Sequence, residues 1–320
     1  MLSRVAFASL LFAAATAAQA ERVARVGLVW NSLPQAEVER DISRFSGPGV
    51  LVEGLRKRGW VSGRNLELVS LSAEGRYERF PAIVDKMVAM PVDVMVVFGS
   101  DAAAVARERG RGIPVVDTVA FNQDPGRGIV GMVVQNPVGK RLELLKQLAP
   151  GVRRVALFAH TPKGTDFPVI GETLRAGIER LGMTPKAFYF TSMSDLDRAF
   201  EEAIRWGAHA VYMSGFPKLH WDRDTQEHVL GLAARHRLPA VYELPQLAAR
   251  GALIGFGPDE RTTHDRAAYF VDRILRGARP EDLPAEQPTG FVMAINRKTA
   301  RELGLEVPAA LVLQADEVFD

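Results

Sequence analysis

The chain has 320 residues, no cysteine and a formal net charge of +2. Without cysteine it can hold no disulfide, no thiolate nucleophile, no cysteine-ligated zinc and no lipid on an N-terminal cysteine. So small a net charge, with no basic block, gives no footprint for nucleic acid, and about 300 residues beyond a leader are enough for a large core, arranged as two lobes.

Residues 1–20 read as a secretory signal. Arg4 supplies the basic start, Val5–Thr16 the apolar stretch and Ala18-Gln19-Ala20 the small-residue cleavage site, so the mature chain is expected to begin at Glu21. The segment is too short and wrongly flanked for a membrane span, and no later apolar run approaches the ~18 residues a span needs. Val23–Trp30 is a predicted strand running into Trp30-Asn31-Ser32. A helical pattern over Pro48–Gly59, a strand Leu66–Leu71 and a helix Tyr77–Met90 follow, the last with Phe80, Ile83, Val84 and Met87 on one face.

The rest of the chain is organised around Val92–Arg109. It reads as a buried strand (Val92–Phe98), a turn at Gly99 and a helix opening at Ser100 or Asp101. In open α/β sheets ligands sit beyond the carboxyl ends of the strands, where the N–H groups of the next helix are free. Ser100 and Asp101 are therefore the first ligand candidates; the alternative is that both only cap the helix. Ile113–Ala120 is a strand, Phe121–Gly128 a polar loop and Ile129–Val134 a further strand. This alternation of strand and helix predicts a parallel sheet with helices on both faces.

A second series begins with the helix Gly139–Leu148. It continues through strand Val152–Ala159, helix Val169–Gly182, strand Lys186–Phe190 and helix Ser194–Trp206, capped by Ser194. Strand Ala208–Met213, a helix over about Thr225–His236 and strand Ala240–Leu244 complete the set. Strand Ala252–Phe256, helix Glu260–Leu275, a proline-rich link Pro280–Pro288 and strand Phe291–Ile295 close the chain. The series echo one another: VDVMVVFGS…GRGIPVV matches AHAVYMSGF…HRLPAVY, with proline starting the later strand in both. Two similar α/β lobes predict a cleft between them.

Catalytic motifs are missing: there is no GxSxG elbow, no P-loop and no strand-coupled GxGxxG. His220, His228 and His236 recur every eight residues, which on a helix is roughly 12 Å, too far for one metal ion. Glu201-Glu202 and Glu281-Asp282 read as solvated charge. Trp60 and Trp206 read as packing groups, whereas Trp30 and Trp221, at or beyond strand ends, are open to packing or to a ligand.

Several stretches carry a family resemblance: GLRKRGWVSGRNLEL (54–68), AEGRYERFPAIVDKMV (73–88), PVDVMVVFGSDAAAVA (91–106), GKRLELLKQLAPGVRRVAL (139–157), HRLPAVYE (236–243) and LPAEQPTGFVMAINRKTARELGLEVPAALVLQADEV (283–318). Together they cover most of Leu51–Val318. The chain resembles the extracytoplasmic substrate-binding proteins of ABC transporters, in the subfamily that includes tryptophan- and tyrosine-type members. The resemblance implies a class I periplasmic-binding fold: α/β, with two Rossmann-like lobes on parallel sheets joined by three interlobe crossovers. These fall near Val133–Asn136, Phe256–Pro258 and Glu286–Thr289. Lobe 1 is then 21–134 with 256–287, and lobe 2 is 135–255 with 288–320.

The implied function is that of a non-enzymatic periplasmic receptor, a monomer without cofactor or metal. It captures a small molecule in the interlobe cleft by hinge closure and passes it to an inner-membrane permease with its ATPase. A ligand-sensing module for a membrane receptor and a secreted α/β enzyme are the alternatives. Strand ends supply the expected contacts: Trp30, Asn31, Ser100, Asp101, Phe121, Asn122 and Asp124 from lobe 1, and His160, Thr161, Ser214, Phe216, Tyr242 and Glu243 from lobe 2. The chain departs from the family pattern at Ser100-Asp101, at Phe121-Asn122-Gln123 before Asp124-Pro125, and at His160-Thr161-Pro162. A ligand carboxylate beside an ionised Asp101 about 4 Å away would meet roughly 4 kcal/mol of repulsion, more than the ~0.3–1 kcal/mol a helix end returns. With Asp124 and Glu243 also at strand ends, the expectation is a neutral or amine-bearing ligand, with room for an aromatic ring.

Overall fold

The computed structural model describes residues 22–31, 33–44, 46–121, 128–134, 137–160, 172–214, 219, 222–284, 286–287 and 290–320. Among the described residues, twelve strands form two sheets. β1 (Ala24–Trp30), β2 (Leu66–Ser72), β3 (Val94–Val97), β4 (Val115–Phe121) and β5 (Ile129–Val134) make the first, in the order β2-β1-β3-β4-β5. Every pair in it is parallel. β6 (Arg154–His160), β7 (Thr184–Phe190), β8 (Ala210–Met213), β9 (Ala240–Tyr242), β10 (Ile254–Pro258), β11 (Phe291–Asn296) and β12 (Glu317–Phe319) make the second. Its order is β12-β11-β10-β9-β8-β6-β7, and only β10 and β11 run antiparallel.

The apolar runs explain why both faces of each sheet are covered. β3 is VMVV with all four residues buried, and β8 is AVYM, also wholly buried. On one face of the first sheet, Val26, Leu28, Val94, Val96 and Val116 pack against helices Ser46–Lys57 and Glu260–Leu275. On the other, Val29, Met95, Val97 and Val115 meet helices Phe80–Ala89 and Ser100–Arg109. The second sheet is likewise enclosed, by helices Met193–Trp206 and Arg223–Arg235 on one face and Val138–Leu148 on the other. The chain is thus an α/β fold with two parallel-dominated sheets, each with its own core.

Helix Glu260–Leu275 follows β10 of the second sheet yet buries Ala267, Phe270, Val271 and Ile274 against the first. Asp259 caps it, accepting from the N–H of Arg261 at 3.0 Å. On the return, the N–H of Glu286 donates to Gly131 O of β5 at 3.1 Å, its carboxylate pairs with Arg266, and Phe291 then lies opposite Pro258. The first expected crossing includes residues 135 and 136, outside the described residues.

Several boundaries differ from expectation. The helix assigned to Ser194 starts at Met193, and Ser192 is its cap, accepting from the N–H of Asp195 at 3.1 Å. The strand expected at Ala252–Phe256 runs two residues later, because Gly255 and Gly257 continue the antiparallel ladder with β11. Helices Gln35–Asp41, Arg297–Glu302 and Ala309–Gln314, and strand β12, had no counterpart in the sequence reading. Of the spaced histidines, His228 pairs with Asp197 at 2.7 Å and His236 lies over Phe200, while His220 falls outside the described residues. Among the described residues, no helix is long and apolar enough to cross a membrane.

Candidate functional site

Strand order locates the crevices. In the first sheet the chain moves from β1 outward to β2 and then back past β1 to β3, β4 and β5, so the order reverses between β1 and β3. In the second it reverses between β6 and β8. Open α/β sheets bind ligands beyond the carboxyl ends of strands at such points. Trp30 ends β1 and Asn31 follows it; Phe98 and Gly99 follow β3; His160 ends β6 and Ser214 follows β8. Six of the residues expected from the sequence, counting Ser100 and Asp101 just past Gly99, therefore flank the two reversals.

At the first reversal, three rings stack. Trp30 lies on Phe98 with centroids 3.6 Å apart and 18° between planes, and Phe98 lies on His264 at 5.8 Å. His264 comes from helix Glu260–Leu275, and Gly47 makes room for it, since a Cβ there would sit 2.5 Å from the imidazole. Its Nδ1 is 2.7 Å from Glu260 O, which fixes Nδ1 as the donor. Burial pushes the imidazole pKa below its ordinary value, against the smaller opposing charge of Glu260. Trp30 is 4% exposed, so most of its ring is core.

Among the described residues, two buried polar atoms here have no hydrogen-bond partner: Nε1 of Trp30 and Oδ1 of Asn31. A buried group left unpaired costs about 1–3 kcal/mol, so a partner supplied from outside the chain would be stabilising there. Asn31 lies against the turn. Gly99 adopts φ +115°, which L side chains rarely reach, and a Cβ on it would stand 2.7 Å from Asn31 Nδ2. Gly99 is also the N-cap, and without a side chain it leaves the first N–H groups of helix Ser100–Arg109 uncapped from within. Ser100 is the first residue of this helix and Asp101 stands exposed in its first turn.

Tyr77 joins this end of the sheet, unanticipated from the sequence. Its ring stacks on Phe80 at 5.6 Å yet remains 40% exposed, and burial, then the charge of Asp101, pushes its phenol up to about 12. The available signal was an aromatic residue two positions past the Gly75 turn that ends β2. Phe121 is the last residue of β4; Asn122 and Asp124 lie outside the described residues.

At the second reversal, His160 is half-buried and meets the edge of Phe190 at 5.2 Å, and burial lowers its pKa. Ser214 is buried and its hydroxyl donates to Phe158 O at 2.8 Å. Tyr242 is 1% exposed and packs in the core with Phe158, Phe200 and Met213, because its position in β9 faces the helices. Burial holds its phenol well above the usual range. Glu243 is engaged as well: its Oε1 accepts from Tyr212 OH at 3.0 Å and faces Arg141 Nη1 at 3.4 Å. Its charge is balanced by that guanidinium and so does not add to a cation site. Arg141 and Tyr212 were missed by sequence reasoning. The signal was there: Arg141 shares the stripe of Leu144, Leu145 and Leu148, at helical spacing, where a solvated arginine does not belong. Thr161 and Phe216 lie outside the described residues.

Comparison with known proteins supplies the last finding. No curated protein sequence matches the chain. Among solved structures, a conserved domain protein from Vibrio cholerae is similar with a TM-score of 0.79 and 21% identity, over 93% of this chain and 100% of that one. An ABC domain in complex with L-Trp from Streptococcus pneumonia has a TM-score of 0.78 and 18% identity, over 92% of this chain and 99% of that one. A periplasmic ribose ABC transporter protein from Conexibacter woesei has a TM-score of 0.55 and 15% identity, over 91% and 98%. These likenesses establish the class I periplasmic-binding fold. Residues 38–319 match the family described as ABC transporter substrate binding protein, and the chain belongs to that family.

Proposed function

We propose that the chain captures a small solute between two lobes, 21–134 with 256–287 and 135–255 with 288–320, at the carboxyl ends of their strands, and binds it by hinge closure without chemical change. The observation that carries this is the pair of unpartnered buried atoms, Trp30 Nε1 and Asn31 Oδ1, at the β1–β3 reversal beside Gly99. Ser100, Asp101 and Tyr77 border it, His160, Ser214 and Glu243 approach from the second sheet, and Phe121 at the end of β4 completes the set with Asn122, Asp124, Thr161 and Phe216, which lie outside the described residues. Tyr242 belongs to the core instead.

The ligand is neutral or amine-bearing at the lobe 1 end, with an aromatic ring. Among the described residues Asp101 has no ion-pair partner, so it opposes a ligand carboxylate and favours an ammonium. With Glu243 balanced by Arg141, this preference rests on Asp101 and on the exposed face of Tyr77. The chain works as a monomer in the periplasm, cleaved after Ala20, and hands its ligand to a permease driven by an ATPase. Calorimetry on the wild type and Asp101→Asn, against a panel of amines, aromatic amino acids including L-tryptophan, and simple carboxylates, tests this. Amines should lose affinity in the variant. Tight carboxylate binding to the wild type, unchanged by Asp101→Asn, would end the reading.

A further inference from the structure

Arg141 is 1% exposed, the most voluminous of the fully buried side chains. It lies in the first turn of helix Val138–Leu148, directly after the segment expected to make the first interlobe crossing. Its Nε donates to Phe256 O of β10 at 2.6 Å. Phe256 is the first residue of β10 beyond the two, Ile254 and Gly255, that pair with β9. Arg141 therefore holds β10 where the neighbouring strand stops doing so. Its Nη1 reaches Tyr212 OH at 3.3 Å and Glu243 Oε1 at 3.4 Å, and Tyr212 ties back to the same Oε1.

Two further contacts extend this knot to the other connections. The ring of Phe256 stacks on Phe291, centroids 5.5 Å apart at 15°, and Phe291 is the first residue of β11 after the third expected crossing. The Glu243–Pro245 backbone presses on β10 so closely that a Cβ on Gly255 would stand 2.5 Å from Leu244 O, and one on Gly257 would collide with Glu243 O. One guanidinium thus links the helix after the first connection, the strand entering the second and, through Phe256, the strand leaving the third. A buried ion pair is a poor source of stability and is often replaceable by apolar side chains without loss. Its best-attested use is to fix a register.

We propose that Arg141 is a positioning residue for closure: through Phe256 O and Glu243 it fixes the direction in which the connecting strands leave the second sheet, and so restricts how far the lobes open. This rests on the two-lobe reading. It makes Glu243 a part of the hinge anchor and separates the role of Arg141 from ligand chemistry.

The test needs no ligand. The chain has no native cysteine, so spin labels can be placed at will. Labels at the exposed positions Glu108 and Glu201 span the two sheets, and a second pair at Glu201 and Arg301 stays within the second. Distance distributions are measured by pulsed electron resonance on the full mature chain, for the wild type, Arg141→Met, Arg141→Gln and, as a loosened hinge, Pro258→Gly. The expected result is a spanning distribution about twofold broader in both Arg141 variants, with the within-sheet pair unmoved. Arg141→Lys, which keeps one donor group, should fall between. An unchanged spanning distribution in Arg141→Met and Arg141→Gln, alongside broadening in Pro258→Gly, overturns the role of Arg141 and leaves the two-lobe reading standing. If Pro258→Gly is unmoved too, both fall. Broadening of the within-sheet pair shows that Arg141 only holds the second sheet together, and also overturns the proposal.

Discussion

At Gly99 the backbone does what no other residue does cheaply, and two consequences can be separated by mutation. Gly99→Ala adds a positive-φ strain and a contact with Asn31 Nδ2; Gly63→Ala, also at positive φ but with nothing within 4 Å, adds only the strain. Urea unfolding should show Gly63→Ala costing about 1–2 kcal/mol and Gly99→Ala more, because φ +115° with ψ 156° is a conformation essentially reserved to glycine and a Cβ there also meets Asn31 Nδ2. Equal costs would mean that the turn relaxes and Asn31 moves aside freely. The same end of the sheet carries a pH dependence. Burial lowers the pKa of His264, and of His160 at the other reversal, so below the ordinary histidine range the unfolded chain binds protons that the folded one does not. Stability is then full above about pH 6.5 and falls as the pH drops beneath it. Urea midpoints at about pH 7.5 and about pH 5.5 should differ in the wild type, and by less in His264→Phe, which keeps the stack on Phe98 and cannot titrate. An identical pH difference in the variant would place the effect elsewhere. At this scale the sequence placed Trp30 and Asn31 at the end of a strand and Asp101 at the start of the helix after one, and the structure has them there. The sequence could not reveal that Tyr242 points into the core while Tyr212 meets Glu243, because which face of a buried strand a residue takes is not legible when both faces are apolar.

Among the elements, the long ones were legible and the short ones were not. β1, β3, β6 and β8 announce themselves as continuous apolar runs, and helix Glu260–Leu275 by a full stripe of apolar positions. Gln35–Asp41, Arg297–Glu302 and Ala309–Gln314 have six or seven residues, fewer than two full turns, so no periodicity can accumulate. Caps decide boundaries in such cases, and Ser192-Met193-Ser194 offered two. The structure gives the cap to Ser192, whose hydroxyl accepts from Asp195, while Asp195 in turn accepts from Thr191 at 2.8 Å. Ser192→Ala should therefore lower stability by about 0.5–2 kcal/mol, and Ser194→Ala by less than about 0.5 kcal/mol. Chemical denaturation of the two variants checks this, and the reverse order would return the cap to Ser194. Helix Glu260–Leu275 is the element with the widest reach: Asp259 caps it just beyond β10, His264 closes the aromatic stack, and Arg266 pairs with Glu286 on the way back.

For the whole molecule, the echo between VDVMVVFGS and AHAVYMSGF was the most informative feature of the sequence, because it implied two sheets with the same internal logic. Each has its own two-faced core and its own reversal of strand order, at β1–β3 and β6–β8. Bodies with separate cores joined by a few strands move relative to one another unless a large apolar interface holds them. A solute that contacts both lobes binds fully only when they close, so its differential affinity sets the shift. Taking an equilibrium from mostly open to mostly closed requires about a 10⁴-fold preference for the closed state. That preference is within reach if the unpartnered Trp30 and Asn31 atoms gain partners only on closure, since each such group is worth about 1–3 kcal/mol. Small-angle scattering of the mature chain, alone and saturated with whichever of L-tryptophan or the amine panel binds in calorimetry, should then show a smaller radius of gyration in the complex. Trp30→Phe, which removes the donor and keeps an aromatic ring in the stack, should weaken binding and lessen the compaction at equal ligand concentration. A saturated complex with the radius of the free protein would mean that capture proceeds without closure, and that the unpartnered atoms are satisfied in the open state.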